Sequence, residues 1–173
     1  MAAKVRPCMV VSIPASDEND RVTLPMRELT QQFHSLSAEK KRLVHLELCE
    51  QAAKQWSSFA SSQWFITYVE TACGTTQTVD KYLPIDALRS AHKGRDMTGV
   101  DSRYREPITA MQDGDLAFPA PIEFAYYAIF NAFNKYVKNE AIDDWLIVNQ
   151  ALSSESDQMR WQSILQAAIE KAR

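Results

Sequence analysis

Glycine is confined to the central third of this chain, where Gly74, Gly94, Gly99 and Gly114 are the only four. Average usage of about 7% would give roughly twelve glycines in a chain of this length. Glycine supplies positive φ angles and close backbone approach, so phosphate-binding loops, tight hairpins and nucleophile elbows usually need it. The two long segments before Gly74 and after Gly114 contain no glycine. They must be built from elements that need neither a positive φ angle nor a close backbone approach. The glycine distribution therefore predicts helices before position 74 and after position 114.

The composition is ordinary for a soluble globular protein, with 46% hydrophobic and 24% charged residues among 173. This length suits one domain that buries a single core without disulfides or metal. We therefore expect residues 1–173 to form a single helical domain with an irregular segment over residues 1–22. The net charge of −3 argues against a nucleic-acid partner, because phosphate binding needs clustered lysine and arginine.

Cysteine usage indicates a reducing compartment. Cys8, Cys49 and Cys73 are odd in number and widely spaced, which is not the pattern of a disulfide framework or a zinc motif. Cys49 and Cys73 lie among apolar residues and are expected to be buried thiols. The apolar runs are too short for a signal peptide or a membrane span. The expected location is the cytoplasm, and no membrane partner is expected.

Apolar spacing of three and four residues predicts the helices of the first flank. Pro25 suits a first helical turn, and Ser37 suits the N-cap of a longer helix. Ser57–Ser62 is expected to break that helix. Residues 64–72 have the spacing of a further helix, for which Gly74 would be the C-terminal cap.

The middle of the chain has more turns. A helix is predicted from Pro84 to Gly94. Residues 94–106 have two glycines, alternating charges and no clear apolar face, which predicts a surface loop. Pro107 is expected to start a short helix that Gly114 ends.

The strongest periodicity lies in residues 121–137, where apolar and aromatic side chains recur at helical spacing for about four turns. This wide stripe predicts the most buried helix, with Phe133 inside and with Tyr126 rather than Tyr127 facing the core. Together with the other helices it predicts an all-α fold, a single irregular bundle of six to eight helices around this segment.

The end of the chain supplies two more predicted helices. Asp143 and Asp144 are placed to start one of them, where carboxylates interact favourably with the helix dipole. Ser156 is expected to cap the last helix.

An excess of acidic side chains around Trp145 is a candidate partner-binding surface. A negative face with an aromatic anchor would suit a basic groove on another protein. Helix-dipole and solvent interactions alone could also explain these acids. The candidate residues here are Glu140, Asp143, Asp144 and Glu155.

The charged residues of 94–106 form a second candidate contact region: Asp96, Asp101, Arg103 and Arg105. Arginine in a loop can bind a carboxylate or a phosphate, although alternating charges are more often simply solvated. An alternative function from a different class is a small helical enzyme or ligand-binding domain with a pocket between helices. That pocket would be lined by His92, Asp96, Asp101 and Arg103.

The three histidines do not have the spacing of a metal site. His34, His45 and His92 are far apart, and none belongs to an HxxxH or HExxH arrangement. They are expected to be ordinary surface or boundary residues. We predict neither a bound metal nor a cofactor.

The segment Arg103–Ala110, read as RYREPITA, resembles a short arginine-rich helix entry in small all-helical immunity proteins, which bacteria pair with polymorphic or contact-delivered toxins. The aromatic, alanine-rich helix from Ala125 to Val137 is similar in kind. Pro107 departs from the helix-favouring residue of that family. The resemblance implies a non-catalytic partner that neutralises a toxin.

The leading functional hypothesis is therefore a cytoplasmic immunity protein that occludes the active site of a toxin domain with a basic surface. Binding would be steric and electrostatic. No catalytic motif is present in the sequence, so no catalytic residue is proposed.

Overall fold

The computed structural model describes residues 23–173, and these form an all-α bundle with one small sheet. The predicted fold class is confirmed, with seven α-helices in the described part of the chain. Residues 1–22, and with them Cys8, lie outside the described residues. In chain order the elements are α1 Met26–Ser35, α2 Ala38–Ser61, β1 Thr67–Val69, β2 Thr76–Thr78, α3 Leu83–Lys93, α4 Val100–Asp113, α5 Ala120–Tyr136, α6 Asp144–Ser153 and α7 Trp161–Ala172.

Helix α5 lies at the centre and packs against α2, α3 and α6. Tyr126 and Phe133 are fully buried, as the apolar stripe predicts, whereas Tyr127 is half-buried. The Tyr126 ring lies 5.0 Å from Trp56 of α2 and 4.8 Å from Tyr104 of α4, measured between ring centroids. Such aromatic contacts add to the energy of burial, so α5 connects the other helices into one core.

Several predicted helix ends are confirmed. The Ser37 hydroxyl accepts a hydrogen bond from a first-turn amide of α2, and the Asp143 carboxylate does so for α6. Both satisfy amide groups that have no partner within the helix. Gly94 and Gly114 follow α3 and α4 at φ angles of 66° and 83°. This left-handed conformation is strained for other residues, which explains glycine at both positions.

The helix predicted over residues 64–72 is wrong. Thr67–Val69 instead pairs antiparallel with Thr76–Thr78. The two strands are rich in threonine and valine, whose branched side chains favour strands over helices. Gly74 has a φ of 68° and donates its amide to the Glu70 carbonyl at 2.7 Å. It therefore closes a hairpin loop rather than capping a helix.

The surface loop predicted over residues 94–106 is also partly wrong, because α4 begins at Val100 and continues through Pro107. The Asp96 carboxylate accepts hydrogen bonds from the amides of Val100 at 2.9 Å and Asp101 at 3.1 Å. This cap fixes the helix start well before the proline. A proline inside a helix lowers helix stability by about 3 kcal/mol, and the burial of apolar side chains of α4 offsets this loss. The buried side chains recur every four residues: Val100, Tyr104 and Ile108.

Two smaller predictions are corrected. Asp157, and not Ser156, caps the short 3-10 turn that leads into α7. Cys49 is buried as expected, and burial raises the pKa of its thiol to about 12. Cys73 is exposed, because it lies in the hairpin loop, where its Sγ is 2.9 Å from an oxygen of the Glu70 carboxylate.

Replacing Phe133 with alanine is expected to lower the free energy of unfolding by about 3–5 kcal/mol, because the change leaves a cavity in the core around α5. Phe124 on the same helix is 40% exposed, and Phe124→Ala should cost much less. Urea-induced unfolding followed by circular dichroism measures both changes. Equal losses for the two variants would contradict the burial pattern of α5.

Candidate functional site

A buried polar network joins α2, α5 and α6. His45 is fully buried; its Nε2 donates to the Asp144 carbonyl at 2.9 Å, and its Nδ1 accepts from the Tyr136 hydroxyl at 2.5 Å. The carbonyl can only accept, and this assigns the ring proton to Nε2. Burial lowers the pKa of His45 to about 4, so the ring is neutral near pH 7. The expectation of a surface or boundary histidine is therefore wrong for His45.

Asp144 belongs to this network through its carbonyl group, and its carboxylate lies between two lysines. Its oxygens are 3.2 Å from Lys41 Nζ and 3.1 Å from Lys135 Nζ. Burial alone would raise the pKa of Asp144, but hydrogen bonds from the two lysines outweigh it and hold the pKa below its ordinary value. Asp144, a predicted partner-binding residue, thus neutralises charges within its own fold.

The structure brings the two predicted contact regions together at Lys138. Its Nζ is 2.9 Å from Asp101 of α4 and 2.9 Å from Glu140, which precedes α6. These contacts raise the pKa of Lys138, mainly through hydrogen bonds to the two carboxylates. The exposed Asp143 nearby in sequence caps α6 through Leu146. Because two carboxylates surround one ammonium group, the cluster around Lys138 has a small net negative charge.

Glu155 and Trp145 are less available than the sequence suggests. Glu155 is mostly buried and lies 2.7 Å from Arg160 Nη1. The half-buried Trp145 ring packs against Phe33 and His34 of α1, with centroid separations of 5.7 and 5.6 Å. An aromatic ring that already packs inside the fold has less surface to offer a partner.

The two arginines of α4 point to different environments. Arg103 is 2.6 Å from the Asp80 carboxylate and 3.2 Å from Asp86, at the start of α3. Arg105 is exposed and lines a groove of about 270 Å³ beside the hairpin, among acidic side chains. Arg103 therefore fastens α4 to α3, while Arg105 faces solvent.

The four residues predicted to line an enzyme pocket between helices do not converge on one pocket. His92 faces α2, where its Nε2 lies 3.1 Å from Glu50. Asp96 caps α4, and hydrogen bonds from backbone amides outweigh the effect of burial to lower its pKa. Asp101 contacts Lys138, and Arg103 contacts the start of α3. In residues 23–173 no three His, Cys, Asp or Glu side chains are grouped to hold a metal ion.

Sequence reasoning missed the most exposed aromatic side chains of the described residues. Trp64, Phe65 and Tyr82 have exposed fractions of 91%, 69% and 76%. The sequence prediction placed Trp64 and Phe65 on the buried face of a helix, but both lie in the link from α2 to the hairpin. The β-branched residues on either side of Gly74 are the signal that could have identified this hairpin. We call Trp64, Phe65 and Tyr82 the aromatic surface.

Both parts of the aromatic surface are attached to well-packed structure. The buried Trp56 donates its indole Nε1 to the Lys81 carbonyl at 2.8 Å, next to Tyr82. The Val79 amide donates to the Ile66 carbonyl at 2.7 Å, next to Phe65. A groove of about 240 Å³ between α2 and α3 adjoins Tyr82 and is lined by Ser57, Ala60, Ser61, Lys81, Tyr82 and Ile85.

Acidification is expected to destabilise the fold through His45. Its pKa is 6.5 when unfolded and about 4 when folded, so the unfolded state binds more protons between these values. The free energy of unfolding should therefore fall as pH falls from 6.5 to 4, by up to about 3 kcal/mol. The depressed pKa of Asp144 acts at lower pH, below its ordinary value of 3.8.

Urea-induced unfolding at several pH values tests this dependence on His45. In His45→Gln the loss of stability between pH 6.5 and 4 should largely disappear, although this variant starts less stable. The exposed His92 provides the control, and His92→Gln should keep the wild-type slope. The assignment fails if His45→Gln and wild type show the same slope.

None of the described helices is long and apolar enough to cross a membrane. No protein-family model, curated protein or solved structure matches this chain.

Proposed function

We propose that this chain is a cytoplasmic protein-binding protein of the immunity type, which neutralises a toxin domain by covering its active site. The observation that carries the proposal is the aromatic surface, three large solvent-exposed rings of which Tyr82 lines a groove. The immunity role draws on the resemblance of Arg103–Ala110 and of the α5 segment to such proteins. The free thiols of Cys49 and Cys73 are compatible with a reducing cytoplasm.

Exposed tryptophan and tyrosine side chains favour a protein-binding role for physical reasons. These residues are enriched among the side chains that dominate binding energy at protein interfaces. Trp64 and Phe65 leave most of their apolar area in water, and covering that area would release free energy. The contacts of Trp56 and Val79 hold the neighbouring backbone in place, which reduces the entropy cost of binding.

Ion pairs within the chain occupy acidic residues that were predicted to bind a partner, and this determines where we place the main contact with the partner. Asp144 is held by two lysines, and Glu155 is held by Arg160. Such groups have less charge to offer to a basic partner. We therefore place the main contact on the aromatic surface and a secondary one around Asp101 and Glu140.

The double variant Trp64→Ala/Phe65→Ala should weaken partner binding by at least about 2 kcal/mol, roughly thirtyfold in Kd. Its free energy of unfolding should change little, because both side chains are exposed. The partner would be captured from the source organism with wild-type bait, purified, and titrated by calorimetry. Its toxic activity would be assayed with and without the chain.

Met159→Ala is the matched control, because Met159 is 87% exposed and lies in the turn before α7. It should bind like wild type. The placement of the interface fails if the double variant also binds like wild type. The immunity role fails if the purified partner keeps full activity in the complex.

A further inference from the structure

Two members of the aromatic surface, Trp64 and Phe65, lie in a part of the chain that has no acidic side chain. Residues 55–69 contain no charged residue at all. Lys54 precedes this stretch, and Lys81 precedes Tyr82. Lys54, Ser57 and Ser61 are three and seven residues apart, which places them on one face of α2. Because both serines line the groove beside Tyr82, Lys54 lies on the groove side of α2.

Neither of these lysines is neutralised by the described part of the chain. Lys54 Nζ donates to the neutral Gln51 side chain at 3.2 Å. Lys81 lines the groove, and no described carboxylate lies within ion-pair distance of either ammonium group. Lys81 beside Tyr82 and Lys54 further along α2 therefore have no counter-charge among residues 23–173.

Glu70, the first acid after Phe65, lies at the loop end of the hairpin, beyond β1, where its carboxylate is 2.9 Å from Cys73 Sγ. The acids nearest to Tyr82 in sequence are paired with arginines. Asp80 is 2.6 Å from Arg103, and Asp86 contacts both Arg103 at 3.2 Å and Arg89 at 3.1 Å. These two carboxylates and two guanidinium groups balance one another. They do not cancel the charge of Lys54 and Lys81.

The C-terminal end of α2 also contributes less negative potential than an open helix end. The hydroxyl groups of Ser61 and Ser62 donate to the carbonyls of Ser58 and Phe59 at 2.8 and 2.7 Å. Carbonyls bonded in this way present weaker partial charge to solvent. Among the described residues, the unpaired charges beside Tyr82 and on the groove side of α2 are therefore positive, in a chain whose net charge is −3.

We propose that the aromatic surface binds an acidic face of the protein partner, one that carries carboxylates beside exposed apolar side chains. This inference rests on the proposed function and identifies the chemistry of the partner at that site. Trp64 and Phe65 would pack against the partner's apolar side chains, while Lys54 and Lys81 would pair with its carboxylates. The groove beside Tyr82 would receive a side chain of the partner. Exposed rings and a groove allow shape complementarity with another surface. A folded protein can supply such a fixed surface, whereas a fluid lipid surface cannot.

A display library of random short peptides, selected on the wild-type chain, is the probe. Peptides that also bind Trp64→Ala are removed, and the remaining sequences are read. We expect them to be enriched in Asp and Glu beside apolar anchors. Lys54→Gln/Lys81→Gln should weaken the selected peptides about tenfold and reduce the salt dependence of binding.

Lys93→Gln/Arg95→Gln is the charge-matched control, because these exposed residues lie at the opposite end of α3 and in the turn after it. It should leave peptide affinity unchanged. Circular dichroism melts confirm that each variant is folded.

Three outcomes overturn the inference. The first is a Trp64-dependent peptide pool that is empty, neutral or basic. The second is Trp64-dependent sedimentation with vesicles of phosphatidylcholine and phosphatidylserine, which would indicate a membrane. The third is Trp64-dependent dimerisation in analytical ultracentrifugation. The broader function is judged separately, by Trp64→Ala/Phe65→Ala against the purified partner, so either proposal can fail alone.

Discussion

Trp56 of α2 joins the centre of this molecule to its proposed binding surface. Its ring lies edge-on to Tyr126 of α5 at 5.0 Å and to Phe118 at 5.4 Å, inside the aromatic core. Its indole N–H is 2.8 Å from the Lys81 carbonyl. A buried indole that lacked this acceptor would cost about 1–3 kcal/mol. The position of Lys81 and Tyr82, and with it one border of the groove, depends on how α2 packs against α5.

Charge in this protein is used largely to hold helices together. Lys41 and Lys135 meet at Asp144, Arg103 joins α4 to the start of α3, and Lys138 joins α4 to the segment before α6. The neutral His45 lies beneath Asp144 and satisfies its carbonyl. Because these groups are partly buried, their pairing limits the cost of removing charge from water. The consequence is that Asp144 and Glu155, two of the acids predicted to bind a partner, have less charge to offer it. We therefore place the main contact on the aromatic surface.

The helical periodicity of the sequence was a reliable guide where the apolar stripe was long. Over residues 121–137 it predicted the buried helix and the burial of Tyr126 and Phe133, and Gly94 and Gly114 marked two helix ends. It failed at residues 64–72, where three residues of strand carry too little periodicity to be distinguished from a helix. Short strands are specified by their pairing across a turn, and that pairing is a tertiary property.

The sequence by itself determined the all-α class, the central helix and the caps at Ser37 and Asp143, because these follow from local spacing and from side chains that bond nearby amides. Only the tertiary structure decided which charges are free. Asp144 and Lys41 are about a hundred residues apart in the chain, and their 3.2 Å contact depends on the packing of α2 against α6. The same packing buries His45. The hairpin leaves Trp64 in solvent because its strands pair with each other and direct the preceding residues away from the core.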